Sequence, residues 1–288
     1  MFGSKYFFWI GRSNLGMLRL EATQSLWGRK TVRIASIQLK VIEESRERAL
    51  EHASQMIRQC QGADLILLPE LWNIGFMSFD RYRNEAEKQE GPTLTLLRTL
   101  AKELSCHLHT GSFVERKGNR LYNSSFLLDP KGKILGSYQK IHLFTYQSQE
   151  AEILSRGTSI TVIPTEFGKV GLATCYDLRF PELFRKMLDQ GAEFFLISSA
   201  WPYLRLEHWL LLNRTRALEN LSCLISSNCV GVNRGTRFAG HSLVVDPMGL
   251  ILAEGNDEEC VVWAEVNQDI VLRARTEFPA LKDRVFRA

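Results

Sequence analysis

The chain has 288 residues, 45% of them hydrophobic and 24% charged, with a net charge of +4. That is the composition of a soluble globular protein long enough to bury a large core. The mild charge, without a long Lys/Arg run, argues against a nucleic-acid partner, and no apolar run approaches the ~18 residues of a membrane span.

Residues 1–30 differ from the rest. They open on the aromatic stretch Met1-Phe-Gly-Ser-Lys-Tyr-Phe-Phe-Trp-Ile10, then carry Arg12, Arg19, Arg29 and Lys30 against one acid, Glu21. The apolar run is short and no small-residue cleavage pattern follows, which speaks against a targeting signal. A loosely ordered extension is expected, ahead of one domain over 31–288. In that domain, 32–39 partly alternates apolar and polar residues, as a strand does. Residues 43–60 form an amphipathic helix with Ala49, Ala53, Met56 and Ile57 at helical spacing. Residues 63–68 are a continuous apolar run stopped by Pro69, the pattern of a buried strand. A helix over 93–104 and a strand over 107–114 follow. Strands over 123–128 and 134–139 flank the tight turn Asp129-Pro-Lys-Gly132. The strand at 170–174 ends on Cys175, and a helix opens at Pro181. A strand over 194–198, a long helix over 206–220 and strands over 224–228 and 242–245 come next. Asp246-Pro-Met-Gly249 repeats the earlier turn chemistry, so the two halves are expected to be related. Residues 251–253 and 261–265 are expected to pair as a terminal hairpin before a short helix over 269–276. Interleaved strands and helices with recurring hairpins predict an α/β fold in which two mixed sheets face each other, with helices outside.

Six cysteines are present, none in a Cys-x-x-Cys pair, and several lie in apolar strand-like contexts. This points to a reducing, cytoplasmic setting. The six histidines show no metal-ligand spacing. Cys175 stands apart because it sits at a strand-to-helix junction, where a helix N-terminus favours thiolate. The alternative is a small buried hydrophobe. Glu70 lies just past the strand ending at Leu68, where α/β folds place catalytic groups, pressed between Pro69 and the large apolar Leu71 and Trp72. It could equally be a strand-terminating surface acid. Lys140 closes the hairpin strand and precedes Ile141-His-Leu-Phe144. It is either a solvated strand-end lysine or a half-buried one in need of a carboxylate. Glu150 and Glu152, taken singly, read as loop acids.

Together, Pro69-Glu70, Lys140-Ile-His-Leu-Phe144 and Cys175-Tyr-Asp-Leu-Arg-Phe-Pro-Glu182 resemble the three signature segments of the nitrilase superfamily, the carbon–nitrogen hydrolases. The resemblance runs from about Val32 to the end of the chain. It implies a four-layer α-β-β-α sandwich, a homodimer or higher homo-oligomer, and no metal or organic cofactor. It implies that Cys175 is the nucleophile, Glu70 the general base and Lys140 the oxyanion-stabilising cation. Glu150, seven residues before Gly157, matches a second glutamate, with Glu152 as the alternative. Pro69-Glu-Leu-Trp-Asn-Ile-Gly-Phe76, Ser199-Ala-Trp-Pro202, Glu207-His-Trp209, Arg214-Thr-Arg-Ala-Leu-Glu-Asn220 and Phe238-Ala-Gly-His-Ser-Leu243 look like the omega-amidase branch, in its bacterial form associated with methionine salvage. That likeness implies hydrolysis of the terminal amide of 2-oxoglutaramate through a thioester. Such a substrate is an anion, so its pocket needs a further cation. Arg179 is the first candidate, with an ion pair to Glu182 as its alternative. Tyr176, Trp72, Phe76 and Trp201 are the expected walls, although both tryptophans could equally be core. Arg214, Arg216 and Glu219 on the long helix are expected to form structural or interface ion pairs.

Overall fold

The computed structural model describes residues 31–41 and 43–287. The expected extension over 1–30 lies outside the described residues. Six strands form the first sheet: β1 (Thr31–Gln38), β2 (Leu65–Leu67), β3 (His107–Lys117), β4 (Arg120–Leu128), β5 (Ile134–Gln139) and β14 (Cys260–Asn267), in the order β14-β1-β2-β3-β4-β5. The second sheet holds β6 (Val162–Thr165), β7 (Gly168–Thr174), β8 (Phe194–Ser199), β9 (Cys223–Asn228), β12 (Leu243–Val245) and β13 (Ile251–Glu254), in the order β6-β7-β8-β9-β12-β13. Read from β14 and from β6, both sheets pair antiparallel, parallel, parallel, antiparallel, antiparallel.

Helices occupy matching places in the two halves. The helices α1 (Arg46–Arg58) and α2 (Pro92–Leu104) follow β1 and β2, while α3 (Pro181–Asp189) and α4 (Leu206–Asn220) follow β7 and β8. The two Asp-Pro-x-Gly turns also coincide, one joining β4 to β5 and the other β12 to β13. Each aspartate bonds the same backbone groups: Asp129 Oδ1 accepts from the N–H of Lys131 and Lys133, and Asp246 Oδ1 from those of Met248 and Leu250. The turn chemistry therefore did mark an internal repeat.

Apolar contacts define the layers. Ala53, Ile57, Leu97 and Ala101 pack α1 and α2 against the first sheet. Ile34, Leu67, Leu172, Leu196 and Ile225 fill the space between the sheets. Phe184, Met187, Trp209 and Ala217 pack α3 and α4 against the second sheet. The result is the α-β-β-α sandwich. Its central strands β2, β8 and β9 are buried on both faces, which is why β2 and the first four residues of β8 read as unbroken apolar runs. Among the described residues no helix is long and apolar enough to cross a membrane.

The expected terminal hairpin does not form. β13 pairs with β12, whereas β14 crosses to the other sheet and pairs antiparallel along the whole of β1. Val262, Ala264 and Val266 alternate along β14, and the last two join the intersheet core that the free edge of β1 leaves open. A short ribbon of β10 (Val230–Asn233) and β11 (Thr236–Ala239) was not legible in the sequence. It is fixed by the Ala239 N–H donating to Trp201 O. A last helix, α5 (Ile270–Glu277), closes the regular structure.

Candidate active site

Strand ends from both sheets converge on one buried cluster. Glu70 follows β2 by three residues, Lys140 follows β5 directly, and Cys175 follows β7 directly. Glu150 opens the single helical turn Glu150–Ile153. Glu70, Lys140 and Glu150 have no exposed surface. Lys140 Nζ donates to Glu70 Oε1 at 2.8 Å and to both Glu150 oxygens at 3.0 Å. Glu152 is exposed, so Glu150 is the carboxylate that enters the cluster.

The backbone around Glu70 is shaped by close approach. Gly111 has φ +64, and a Cβ there would lie 2.1 Å from Pro69 O. Only glycine lets β3 bulge at this point and press against the Pro69-Glu70 segment. Ser112 then donates its N–H to Pro69 O and accepts from the Leu71 N–H through its hydroxyl. Across the intersheet seam, the Ala200 N–H donates to Glu70 Oε2 at 3.0 Å. Gly157 backs Lys140 in the same way: its N–H donates to Lys140 O, and a Cβ would fall 1.9 Å from Gln139 O.

Cys175 is 8% exposed and adopts φ +48, a left-handed conformation unusual for a residue with a Cβ. It opens the 3-10 turn Cys175–Arg179. Asp177 holds that turn, accepting from the Thr174 N–H, from the Tyr138 hydroxyl at 2.7 Å and from the His142 N–H at 3.1 Å, with the His142 ring Nδ1 at 2.7 Å. The Arg216 Nε donates to Leu178 O while its Nη1 pairs with Glu219 at 2.8 Å. The expected Arg216–Glu219 pair thus also secures the turn.

Electrostatics follow from burial. Burial alone would push the Lys140 ammonium down, but Glu150 and Glu70 outweigh it and hold it above its ordinary value. Burial pushes the Glu150 carboxyl up, Lys140 pulls it down, and Glu70 pushes it up again, with a net rise. Burial and then Glu70 push the Cys175 thiol up, against the pull of Lys140. Burial and the neighbouring Glu70 thus favour the thiol over the thiolate at Cys175. The expected helix N-terminus is not at Cys175 itself: the residue opens a five-residue 3-10 turn, and the α-helix begins only at Pro181.

Asn123 was missed in the sequence. Its Nδ2 donates to Glu70 Oε1 at 2.8 Å and to Glu150 Oε1 at 3.0 Å, tying the two carboxylates together from the middle of β4. The available signal was a polar amide inside an otherwise regular strand.

A cavity of about 120 Å³ opens at Cys175. Phe76, Tyr176 and Trp201 line it as expected, joined by Phe144 and Phe238. Trp72 does not line it. Its ring lies in the core beneath α2, and its Nε1 donates to Thr110 O. Arg179 lines the cavity and does not pair with Glu182. Its guanidinium lies 4.9 Å from the Trp201 ring, and its Nη2 contacts His208 Nδ1 at 3.1 Å. Arg205, also in the lining, was not singled out by sequence reasoning.

Residues 33–275 match the carbon-nitrogen hydrolase family. A 2-oxoglutaramate amidase from Paenarthrobacter nicotinovorans is 34% identical over 274 residues, covering 92% of this chain and 93% of that protein. An omega-amidase from Mus musculus is 33% identical, covering 88% of this chain and 95% of that protein. Among solved structures, the Saccharomyces cerevisiae member of branch 10 of the nitrilase superfamily superposes with a TM-score of 0.83 at 30% identity, covering 89% of this chain and 97% of that one. The chain belongs to the carbon–nitrogen hydrolases of the nitrilase superfamily, and within them it is an amidase of the omega-amidase type.

Proposed function

We propose that the protein hydrolyses the terminal amide of a small 2-oxo dicarboxylic acid monoamide, 2-oxoglutaramate, releasing ammonia through a thioester on Cys175. The observation that carries this reading is the fully buried Glu70–Lys140–Glu150 array set against Cys175 at the floor of an aromatic cavity with arginines in its lining.

In this mechanism the Cys175 sulfur attacks the amide carbon as Glu70 accepts the thiol proton. The oxyanion is held by the Lys140 ammonium and by the Tyr176 N–H, one of the first donors of the 3-10 turn and so without an acceptor inside it. The C–N bond then breaks, Glu70 gives its proton to the leaving nitrogen, and ammonia departs. Water attacks the thioester carbon and passes a proton to Glu70. The C–S bond breaks, Glu70 returns the proton to sulfur, and the carboxylic acid leaves. Glu150 keeps Lys140 charged and aimed. A homodimer belongs to the same reading: Leu211 and Leu218 are exposed on α4, where the turn at Gly249 packs against Leu218.

Ammonia release from 2-oxoglutaramate, glutamine, a simple aliphatic nitrile and an N-carbamoyl amino acid tests the assignment. 2-Oxoglutaramate is expected to be the best substrate by at least about tenfold in kcat/KM. Turnover of the nitrile or the carbamoyl compound, with none of 2-oxoglutaramate, would overturn it.

Asn123 is expected to matter without touching substrate. Asn123→Leu removes a donor shared by two buried carboxylates, and hydrogen bonds to charged groups contribute about 1.5–3 kcal/mol each. A fall in kcat/KM of about 100-fold and a lower melting temperature are expected. Kinetics within threefold of the parent protein would remove Asn123 from the site.

A further inference from the structure

We propose that Arg205 acts with Arg179 as a two-cation seat for the carboxylate of the substrate, making Arg205 a specificity-determining residue of this amidase. The proposal rests on the amidase reading given above and goes further by assigning the anion-recognising group. Both arginines line the cavity at Cys175. Neither guanidinium is held by a carboxylate among the described residues: Arg179 lies over Trp201 and beside His208, and Arg205 lies 5.6 Å from the Tyr146 ring. Other arginines nearby are used differently, with Arg237 paired to Asp257, Arg216 to Glu219 and Arg234 to Asp80. Among the described residues, no salt bridge neutralises the two cavity arginines, so their charge is available to an incoming anion.

Trp201 connects them. Its ring carries the Arg179 guanidinium, and its Nε1 donates to Arg205 O at 2.8 Å, fixing the Arg205 backbone at the start of α4. A substrate carboxylate has no other favourable place in this cavity. Arg179 and Arg205 are the charged side chains in its lining, the rest of the wall is largely aromatic, and the buried cluster behind Cys175 sets two carboxylates against one ammonium. A molecule with an amide at one end and a carboxylate at the other is therefore oriented by charge: amide toward Cys175, carboxylate toward the two arginines. Aromatic packing keeps both side chains near their bound positions, which lowers the cost of ordering them.

The experiment compares Arg205→Gln, Arg205→Lys and the parent protein on two substrates with the same carbon chain, the monoamide of glutaric acid and its methyl ester, with ammonia release as the readout. Glutarate binding, measured by calorimetry, is an independent second readout. The parent protein is expected to prefer the anionic amide. Arg205→Gln is expected to lose about 100-fold in kcat/KM on the anion, mostly in KM, with less than threefold change on the ester, and to weaken glutarate binding by a similar factor. Arg205→Lys is expected to recover part of the loss. The Trp201 bond is made to the Arg205 backbone, so these changes leave it in place. Equal losses on both substrates would make Arg205 structural, and no loss on either would remove it from the seat. A parent protein with no preference for the anion would overturn the substrate reading itself, an outcome separate from both.

Discussion

Cys175→Ala is expected to lower kcat/KM on the amide substrate by about 10⁴-fold or more, because no other group in the cluster can form the covalent intermediate. The protein should still fold. Alanine removes one sulfur from a site that lines the cavity, and the left-handed backbone there (φ +48) is no harder for alanine than for cysteine. A melting temperature within a few degrees of the parent is therefore expected. Cys175→Ser should be nearly as inactive, since a buried hydroxyl is far harder to deprotonate than a thiol. Cys260→Ala serves as the control: Cys260 lies on β14, outside the cluster, and its loss should leave the rate within twofold. Steady-state ammonia release checks all three. Near-parental activity of a clean Cys175→Ala preparation would refute the nucleophile assignment.

The second large effect is expected at Lys140, where stability and activity fall together. Lys140→Met leaves the buried carboxylates of Glu70 and Glu150 without their shared cation. Breaking a buried ion pair from one side typically costs about 3–5 kcal/mol. Activity should fall by about 10³-fold or more with the loss of the oxyanion-stabilising charge. The stability loss should depend on pH with a definite sign. Glu150 is already pushed above its ordinary value by burial and by Glu70, with Lys140 the opposing influence. Without Lys140 its carboxyl rises further. A carboxyl whose folded value is raised contributes stability below its unfolded value of about 4.3, and that contribution is lost as pH climbs through the folded value. The gap in melting temperature between variant and parent should therefore be smallest near pH 4–5 and grow toward pH 8. A gap independent of pH, or one that narrows as pH rises, would mean that Glu150 is not held by Lys140.

Much of this site was written in local patterns. Glu70, Lys140 and Cys175 each lie just past the C-terminal end of a strand, and residues past strands that run in the same direction emerge at the same edge of the sheet. Once β2, β5 and β7 were placed, their convergence followed from the architecture. The two Asp-Pro-x-Gly turns likewise carried the internal repeat, because their aspartate side chains and glycines determine the conformation locally. Groups whose role depends on a distant partner were not legible. Asn123 gains its meaning only when Glu70 and Glu150 arrive from elsewhere in the chain. Arg205 sits among ordinary helix-start residues until the fold brings it to the cavity beside Arg179 and Trp201. Trp72 erred the other way. Its neighbours in sequence flank the site, but the left-handed turn at Leu71 (φ +46) directs the next residue into the core. The destination of β14 was also hidden, since its alternation specifies a half-buried strand without naming which of two edges it will pair with.

The most direct measurement is the mass of the enzyme caught during turnover. Acid quenching in the steady state with 2-oxoglutaramate, followed by intact-mass and peptide analysis, should reveal a fraction of the chain heavier by the substrate minus ammonia. That increment should reside on the peptide containing Cys175 and be missing from the Cys175→Ala protein. An acyl group carried by any other residue would contradict a thioester mechanism built on Cys175, Glu70 and Lys140.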